Sequence, residues 1–140
     1  MIQRRFDQGA SYTIVFDGGA LGNPGLGYGS YKILLNGGET VIAHERREYG
    51  DNVTNNQAEY RTLIEALDDL NAKIGQDVQT AHVAVYSDSL LVVSQLQGKW
   101  KVKNSGLRPL YQEALEKLGR FRSHTLQWHD RSNSVRTLGH

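Results

Sequence analysis

The chain has 140 residues, 39% of them apolar, and a formal net charge of +1. This length and composition fit one globular domain, residues 1–140, and the near-neutral charge excludes a protein that is strongly basic overall. No cysteine is present, which excludes disulfides and cysteine-based nucleophiles or metal sites, and no stretch approaches the ~20 apolar residues of a membrane span. We therefore expect a cytoplasmic monomer with no membrane contact and no obligate protein partner.

Three β-strands open the predicted fold. The run SYTIVF at 11–16 is rich in strand-forming residues and is bounded by turn residues. Two further runs, 28–35 and 39–47, flank Asn36-Gly37, and an Asn-Gly pair between such runs is a strong signal for a hairpin. Short connections favour antiparallel pairing, so the pattern predicts an antiparallel meander.

Helices and strands alternate in the rest of the chain. Residues 55–73 have the spacing of an amphipathic helix, which would connect the meander to a strand at 82–87 that joins the sheet in parallel. The remaining predicted elements are a short buried helix, an amphipathic helix and a last strand, at 89–98, 106–120 and 124–130. This order predicts a mixed α/β domain whose sheet is covered by helices.

Two aspartates follow apolar strands. Asp17 comes directly after Phe16, and Asp88 follows the strand that ends at Ser87. Ligand sites of open α/β sheets gather at the carboxyl ends of strands, so parallel neighbours would bring these carboxylates close together. Each aspartate also has a simpler interpretation, as a turn former or as the N-cap of the next helix.

Glu59 favours the interpretation of these aspartates as part of a ligand site. It could close a capping box with Asn56 as the N-cap, which would leave its side chain in solvent. However, Glu59 lies on the apolar stripe of helix 55–73, together with Leu63, Ala66 and Leu70, and this stripe must face the sheet. A carboxylate there is unfavourable unless it is paired or bound to a metal. Three converging acids therefore predict a site for Mg²⁺ or Mn²⁺, which prefer oxygen ligands.

Polar and basic groups near the acids suit a nucleic-acid backbone. Gly18 permits a close approach of another backbone, and amide or hydroxyl side chains at a helix N-terminus suit phosphates and 2′-hydroxyls. These side chains are Asn23, Thr54, Asn55, Asn56 and Gln57. Farther along, Lys99, Lys101 and Lys103 flank Trp100 in a region of net positive charge. That region is either a phosphate-binding patch or a solvated face.

Three segments resemble the characteristic blocks of type 1 ribonuclease H. They are FDGGALGNPGLGYGSY, TNNQAEYRTLIEAL and YSDSLLVVSQLQGKWKVKNSGLRPLY, in that family's order, and they span most of residues 12–115. The resemblance implies the ribonuclease H-like fold, a five-stranded mixed sheet with three antiparallel strands, then parallel strands, flanked by helices. It also implies endonucleolytic hydrolysis of the RNA strand of RNA/DNA hybrids with two divalent metal ions, leaving 5′-phosphate and 3′-hydroxyl ends.

The same resemblance implies roles for individual residues. Asp17 matches the acid that bridges both metal ions, and Glu59 and Asp88 match the acids that hold the ion on the leaving-group side. Thr54 matches part of a pocket for a DNA-strand phosphate. The positions that match contacts to the minor groove of the hybrid are Asn23, Asn55, Asn56 and Gln57. The short segment GKWKVKNSG resembles compact archaeal-type members, and we expect hybrid affinity to come from the catalytic domain alone.

The end of the chain departs from the family pattern. The family closes with a motif near R-x-x-N-x-x-A-D, whose Asp is the fourth metal ligand, but no Asp follows Arg131 here. Asp130 falls where the last strand is predicted to continue, so Asn133 is the candidate for the fourth ligand, with Thr137 or Leu138 at that position in other alignments. The tail is also too short for the usual final helix. An alternative function follows, a hybrid- or RNA-binding module with weakened catalysis.

Overall fold

A five-stranded sheet organises the fold in the computed structural model, which describes residues 9–35 and 40–139. The strands follow the order β3-β2-β1-β4-β5 across the sheet, with β1–β2 and β2–β3 antiparallel and β1–β4 and β4–β5 parallel. Their bounds are Ser11–Leu21 (β1), Gly25–Leu35 (β2), Thr40–Val53 (β3), His82–Ser87 (β4) and Ser123–Trp128 (β5). The predicted mixed sheet is therefore confirmed, including the parallel pairing of β1 with β4.

Within the described residues, four α-helices and one 3₁₀ segment complete the fold. They are α1 (Asn55–Ile74), the 3₁₀ segment Gly75–Thr80, α2 (Leu90–Leu96), α3 (Arg108–Leu118) and α4 (Arg131–Leu138). The apolar stripe of α1 packs on β1 and β2, where Phe16, Leu63 and Leu70 are fully buried in one core cluster. Among the described residues, no helix is both long enough and apolar enough to cross a bilayer.

The first strand is longer than the sequence predicts. Asp17 is not followed by a turn, because β1 continues to Leu21 and pairs with β2 through Gly18 and Gly29. A Cβ at Gly18 would lie 2.7 Å from the main chain of Ala58, so glycine here lets α1 lie close on the sheet. The Asn36-Gly37 hairpin turn lies outside the described residues, although Leu35 and Thr40 on either side of it are paired.

The end of the chain also differs from the prediction. The last strand stops at Trp128 rather than at residue 130, and Asp130 is the N-cap of the two-turn helix α4, accepting a hydrogen bond from the Ser132 N–H. Leu138 is fully buried, and Lys32 Nζ donates to the Thr137 carbonyl. These contacts hold α4 against the sheet although the tail is short.

The two faces of β1 and β2 receive different helices. Gly18 and Gly29 face α1, since Cβ atoms there would meet Ala58 and Thr62. Side chains alternate along a strand, so Asp17 and Lys32 point to the opposite face, where Lys32 reaches α4. Asp17 therefore lies on the side of the sheet that α4 partly covers.

Candidate active site

Three carboxylates converge at one point of the sheet. Asp17 lies on β1, Glu59 on the second turn of α1, and Asp88 directly after β4, and one potential ligand atom from each lies within 4.8 Å of the others. Asp17 and Glu59 are 6% and 8% exposed. The convergence predicted from the strand ends and the helix stripe is confirmed. Asp88 is not a helix N-cap, because Ser89 caps α2 through its hydroxyl.

Glu59 is held by the strand rather than by its own helix. The pairing of β1 with β4 ends at Val15, and beyond it the Gly18 N–H donates to Glu59 Oε1 at 2.9 Å. The capping box of α1 is formed by Thr54 and Gln57, so the alternative with Asn56 as N-cap and Glu59 as its partner is wrong. Burial, followed by the charges of Asp17 and Asp88, raises the pKa of Glu59 well above its ordinary value.

The cluster has the properties of a divalent-cation site. Among the residues that the structure describes, no hydrogen-bond donor reaches the buried Oδ2 of Asp88. Converging acids whose mutual charge raises the pKa of Glu59 are stabilised when a cation neutralises them. The potential metal ligands are all carboxylate oxygens, which match Mg²⁺ or Mn²⁺ rather than softer metals. The residues present therefore fit such an ion.

The C-terminal tail brings basic groups to this cluster. Arg131 Nη1 lies 3.7 Å from Asp88 Oδ2, and its side chain is 73% exposed. The His129 ring bonds the Ser134 hydroxyl, and burial lowers its pKa although Asp88, Asp130 and Asp17 act in the opposite direction. Both residues were missed as site residues because α4, which folds back on the sheet, was not predicted.

Asn133 lies in the first turn of α4 and is partly buried. Its Oδ1 accepts a hydrogen bond from Arg136 Nη1 at 3.1 Å, and its N–H donates to the Asp130 carbonyl. No acidic side chain occurs between Arg131 and Leu138. The assignment of Asn133 as a fourth ligand stays a prediction.

The N-terminal end of α1 and the β1–β2 turn form an amide-rich surface. Asn55 Oδ1 accepts from the Ala20 N–H at 2.8 Å, and the Asn55 N–H donates to Asn23 Oδ1 at 3.0 Å. These two side chains therefore connect the turn to the helix as well as lining the surface. A cavity of about 260 Å³ lies beside them, lined by Asn23, Thr54, Asn56, Gln57, Asn104 and Leu107.

Asn104 was not selected from the sequence. Its Oδ1 accepts from the Gly106 and Leu107 N–H groups, which shapes the entry into α3. The signal was present in the sequence, since Asn-Ser-Gly before a helix is typical of a turn in which Asn bonds the backbone ahead of it.

The basic segment lies on the surface beside α3. Lys99, Lys101 and Lys103 are exposed, and Lys101 lines a hollow of about 360 Å³ with Trp100 and Arg108. Exposure of these ammonium groups is compatible both with a phosphate-binding patch and with a solvated face.

Comparisons with known proteins agree on one family. Residues 15–136 match the family model described as reverse transcriptase-like. The chain is 41% identical over 124 residues to bifunctional protein Rv2228c of Mycobacterium tuberculosis. The structure of that protein's N-terminal RNase H domain, fused to maltose-binding protein, superposes with a TM-score of 0.82 at 38% identity, covering 91% of this chain and 87% of that one.

Two further relatives are named ribonuclease HI or RNase H1. Ribonuclease HI of Halobacterium salinarum is 37% identical over 105 residues, and the crystal structure of RNase H1 from this archaeon gives a TM-score of 0.79 at 32% identity, covering 90% of each chain. LC11-RNase H1, isolated from compost and solved in complex with an RNA/DNA hybrid, gives 0.81 at 30% identity over 89% of each chain. The alignment covers 32% of the mycobacterial protein and 48% of the halobacterial one, so the chain matches only part of these curated relatives.

Proposed function

The chain belongs to the type 1 ribonuclease H family, and we propose that it hydrolyses the RNA strand of RNA/DNA hybrids endonucleolytically. The observation that carries the proposal is the convergence of Asp17, Glu59 and Asp88 at the end of β4. We propose further that residues 1–140 form a single catalytic domain that acts as a monomer in the cytoplasm.

The three acids would hold two divalent ions, Mg²⁺ or Mn²⁺. Ions bound in this way lower the pKa of an attacking water and stabilise a leaving oxygen. Asp17 would be shared by both ions, and Glu59 and Asp88 would serve the ion on the leaving-group side. Asn133 would supply a neutral oxygen in place of a fourth carboxylate.

The protein's own groups fix the acids before any substrate binds. The Gly18 N–H orients Glu59, and the Trp128 indole N–H bonds the main-chain carbonyl of Asp88. Asp17 and Glu59 lie on a strand and a helix, and Asp88 lies in the short connection between β4 and α2, which keeps the carboxylates in place for in-line attack on a phosphodiester.

Substrate recognition would come from the amide-rich surface and the basic segment. Asn56 and Gln57 line the cavity at the N-terminal end of α1, and amide side chains of this kind can bond base edges and 2′-hydroxyls in a minor groove. Thr54 would contact a DNA-strand phosphate, and Lys101 and Lys103 would neutralise others. LC11-RNase H1 was solved with an RNA/DNA hybrid bound, which supports this substrate class.

A second candidate function rests on the composition of α4. That helix contains no acid, so with Asn133 as the fourth ligand the site would have one negative charge fewer than the family pattern provides. A chain with weakened metal binding would act as a hybrid- or RNA-binding module that retains the groove but not the turnover.

The test is cleavage of a hybrid labelled on either strand, in Mg²⁺ and in Mn²⁺, beside DNA and RNA duplexes of the same sequence. We expect internal cuts in the RNA strand of the hybrid, with 5′-phosphate and 3′-hydroxyl ends, and an intact DNA strand. Hybrid binding without cleavage at any Mn²⁺ concentration would identify the binding module instead. Cleavage of the DNA strand would contradict both functions.

A further inference from the structure

Trp128 is a large aromatic residue that the core does not use. It is the last residue of β5, paired with Ser87 at the end of β4, and it is 51% exposed. Leu126, two residues earlier, is the buried residue of this strand. An indole left half in solvent at the end of an edge strand contributes less to folding than a buried one would.

The indole is nevertheless fixed in place. Its Nε1–H donates to the Asp88 main-chain carbonyl at 3.1 Å, and the following His129 N–H donates to the Ser87 carbonyl at 2.9 Å. The ring is therefore anchored at its polar edge to the residue that supplies one of the clustered carboxylates. A rigid aromatic ring with an exposed face is the feature on which nucleic-acid-binding proteins stack bases.

The position of the ring relative to the acids indicates which ligand it meets. Asp17 lies on β1 and Asp88 follows β4, while Trp128 lies on β5, the next strand outward. The amide-lined cavity is formed by the β1–β2 turn, the start of α1 and the segment before α3, whereas Trp128 lies at the β5 edge of the sheet. A nucleic-acid strand that reaches Asp88 would also meet the indole, because the indole contacts the main chain of that residue.

A cation that lies near Asp88 suits the same ligand. Arg131 has an exposed side chain whose guanidinium lies near Asp88, the residue that the indole contacts. A cation and an aromatic ring that both lie near one residue match a nucleotide, which presents a flat base and an anionic phosphate together.

We propose that Trp128 is a stacking platform for a nucleotide next to the scissile phosphate, and that its indole N–H also positions Asp88. This inference rests on the proposed function, because it assumes that the chain binds an RNA/DNA hybrid across the acids. It adds a contact on the β5 side of the site, and it makes Trp128 a positioning residue as well as a binding residue.

The chain offers a direct spectroscopic test, since it has only two tryptophans, Trp100 and Trp128. In the Trp100→Phe variant, the emission reports on Trp128 alone, and in the matched Trp128→Phe variant it reports on Trp100. Both are titrated with an RNA/DNA hybrid in EDTA, which prevents cleavage, while fluorescence anisotropy of the labelled hybrid measures binding independently. We expect saturable quenching of Trp128 that follows the binding curve.

Affinity and rate separate the two roles of the indole. Trp128→Ala should weaken hybrid binding roughly 5- to 150-fold, as expected when one base loses its aromatic partner. Trp128→Phe should retain most of the affinity but reduce the maximal cleavage rate, because the ring remains while the hydrogen bond to Asp88 is lost. Circular dichroism and urea unfolding confirm that each variant is folded.

Three outcomes would overturn the inference. Hybrid binding that leaves Trp128 emission unchanged would exclude the platform while leaving the proposed function intact. Affinity of Trp128→Ala equal to wild type would do the same. Absence of hybrid binding in every protein, wild type included, together with absence of cleavage by wild type in Mg²⁺ and Mn²⁺, would overturn the proposed function and this inference with it.

Discussion

Glu59 is the acid whose removal should most change the stability of the metal-free protein. Its side chain is buried, and one ligand atom each from Asp17 and Asp88 lies within 4.8 Å. Two unit charges at that distance repel by about 3.5 kcal/mol at an effective dielectric constant of ~20. Burial and these charges together raise the pKa of Glu59 well above the ordinary 4.5.

The cost of Glu59 at neutral pH has an upper limit, because the carboxyl group can retain its proton instead of ionising. Each pH unit above the ordinary pKa then lowers the free energy of unfolding by about 1.4 kcal/mol, so the total loss at pH 7 is at most about 3.4 kcal/mol. The sign follows from the raised pKa. The folded state binds the proton that the unfolded state releases. The contribution of Glu59 to the free energy of unfolding is therefore fully present below pH 4.5, and it is lost as the pH rises through the folded-state pKa.

Glu59→Gln removes this titration and keeps an oxygen that can accept the Gly18 N–H bond. We expect the free energy of unfolding of Glu59→Gln to exceed that of wild type at pH 7, by no more than this limit, and the difference to vanish near pH 4. The assay is urea unfolding in EDTA from pH 4 to pH 8. Glu48→Gln, at an exposed position on β3, is the matched control and should show no such pH dependence.

Added Mg²⁺ gives a second readout of the same charge. It should stabilise wild type more than Glu59→Gln, because the ion gains one carboxylate ligand fewer in the variant. A difference in unfolding free energy that is flat from pH 4 to pH 8 would contradict a raised pKa of Glu59. Lower stability of Glu59→Gln than of wild type at pH 7 in EDTA would contradict it as well.

Three further changes address the substrate and the metal. Lys101→Ala should lower the salt slope of hybrid binding by about one unit and weaken binding to all sequences alike; an unchanged slope in the Lys101→Ala, Lys103→Ala double variant would identify a solvated face. Arg131→Gln removes a cation 3.7 Å from Asp88 Oδ2, so Mn²⁺ titration followed by electron paramagnetic resonance should show several-fold tighter binding, and weaker binding would contradict this. Asn133→Ala should reduce the initial rate of cleavage roughly 10²-fold at limiting Mg²⁺, whereas Asn133→Asp should preserve or raise it. Equal rates for wild type and Asn133→Ala at every metal concentration would show that Asn133 is not a ligand.

The convergence of the acids was predictable because each acid belongs to a regular pattern. Asp17 and Asp88 follow apolar strand residues, and Glu59 shares the apolar spacing of Leu63 and Leu70. Periodicity fixes which way a side chain points, and parallel pairing of β1 with β4 then brings the three together. No information from outside these segments was needed.

The extension of β1 was not predictable in the same way. Gly18 and Gly19 carry no side chain and are typical of turns, so local sequence alone favours an end to the strand. Their pairing with Gly29 and Tyr28 depends on the neighbouring strand and on the close approach of α1, both of which are tertiary contacts. By contrast, the capping box of Thr54 and Gln57 follows the T-x-x-Q pattern and could have been predicted.

The structure of the C-terminal tail also depends on tertiary contacts that local sequence does not reveal. The local sequence around Asp130 is typical of a strand end or a turn. A two-turn helix forms there because Leu138 is buried and Lys32 Nζ donates a hydrogen bond to the Thr137 carbonyl. Since α4 is what brings Arg131 beside Asp88, a residue of the site depends on contacts that sequence spacing does not reveal.

Asp17 lies on the central strand and belongs to the acid cluster, so the assignment of the active site depends most on this residue. The decisive measurement is the initial rate of RNA-strand cleavage in a hybrid by wild type and by Asp17→Asn, in saturating Mg²⁺ and in saturating Mn²⁺. We predict that wild type cleaves and that Asp17→Asn does not, although its metal-free stability is unchanged or slightly raised because one of the mutually repelling charges is gone. Near wild-type cleavage by Asp17→Asn in Mg²⁺ would contradict the assignment of the site.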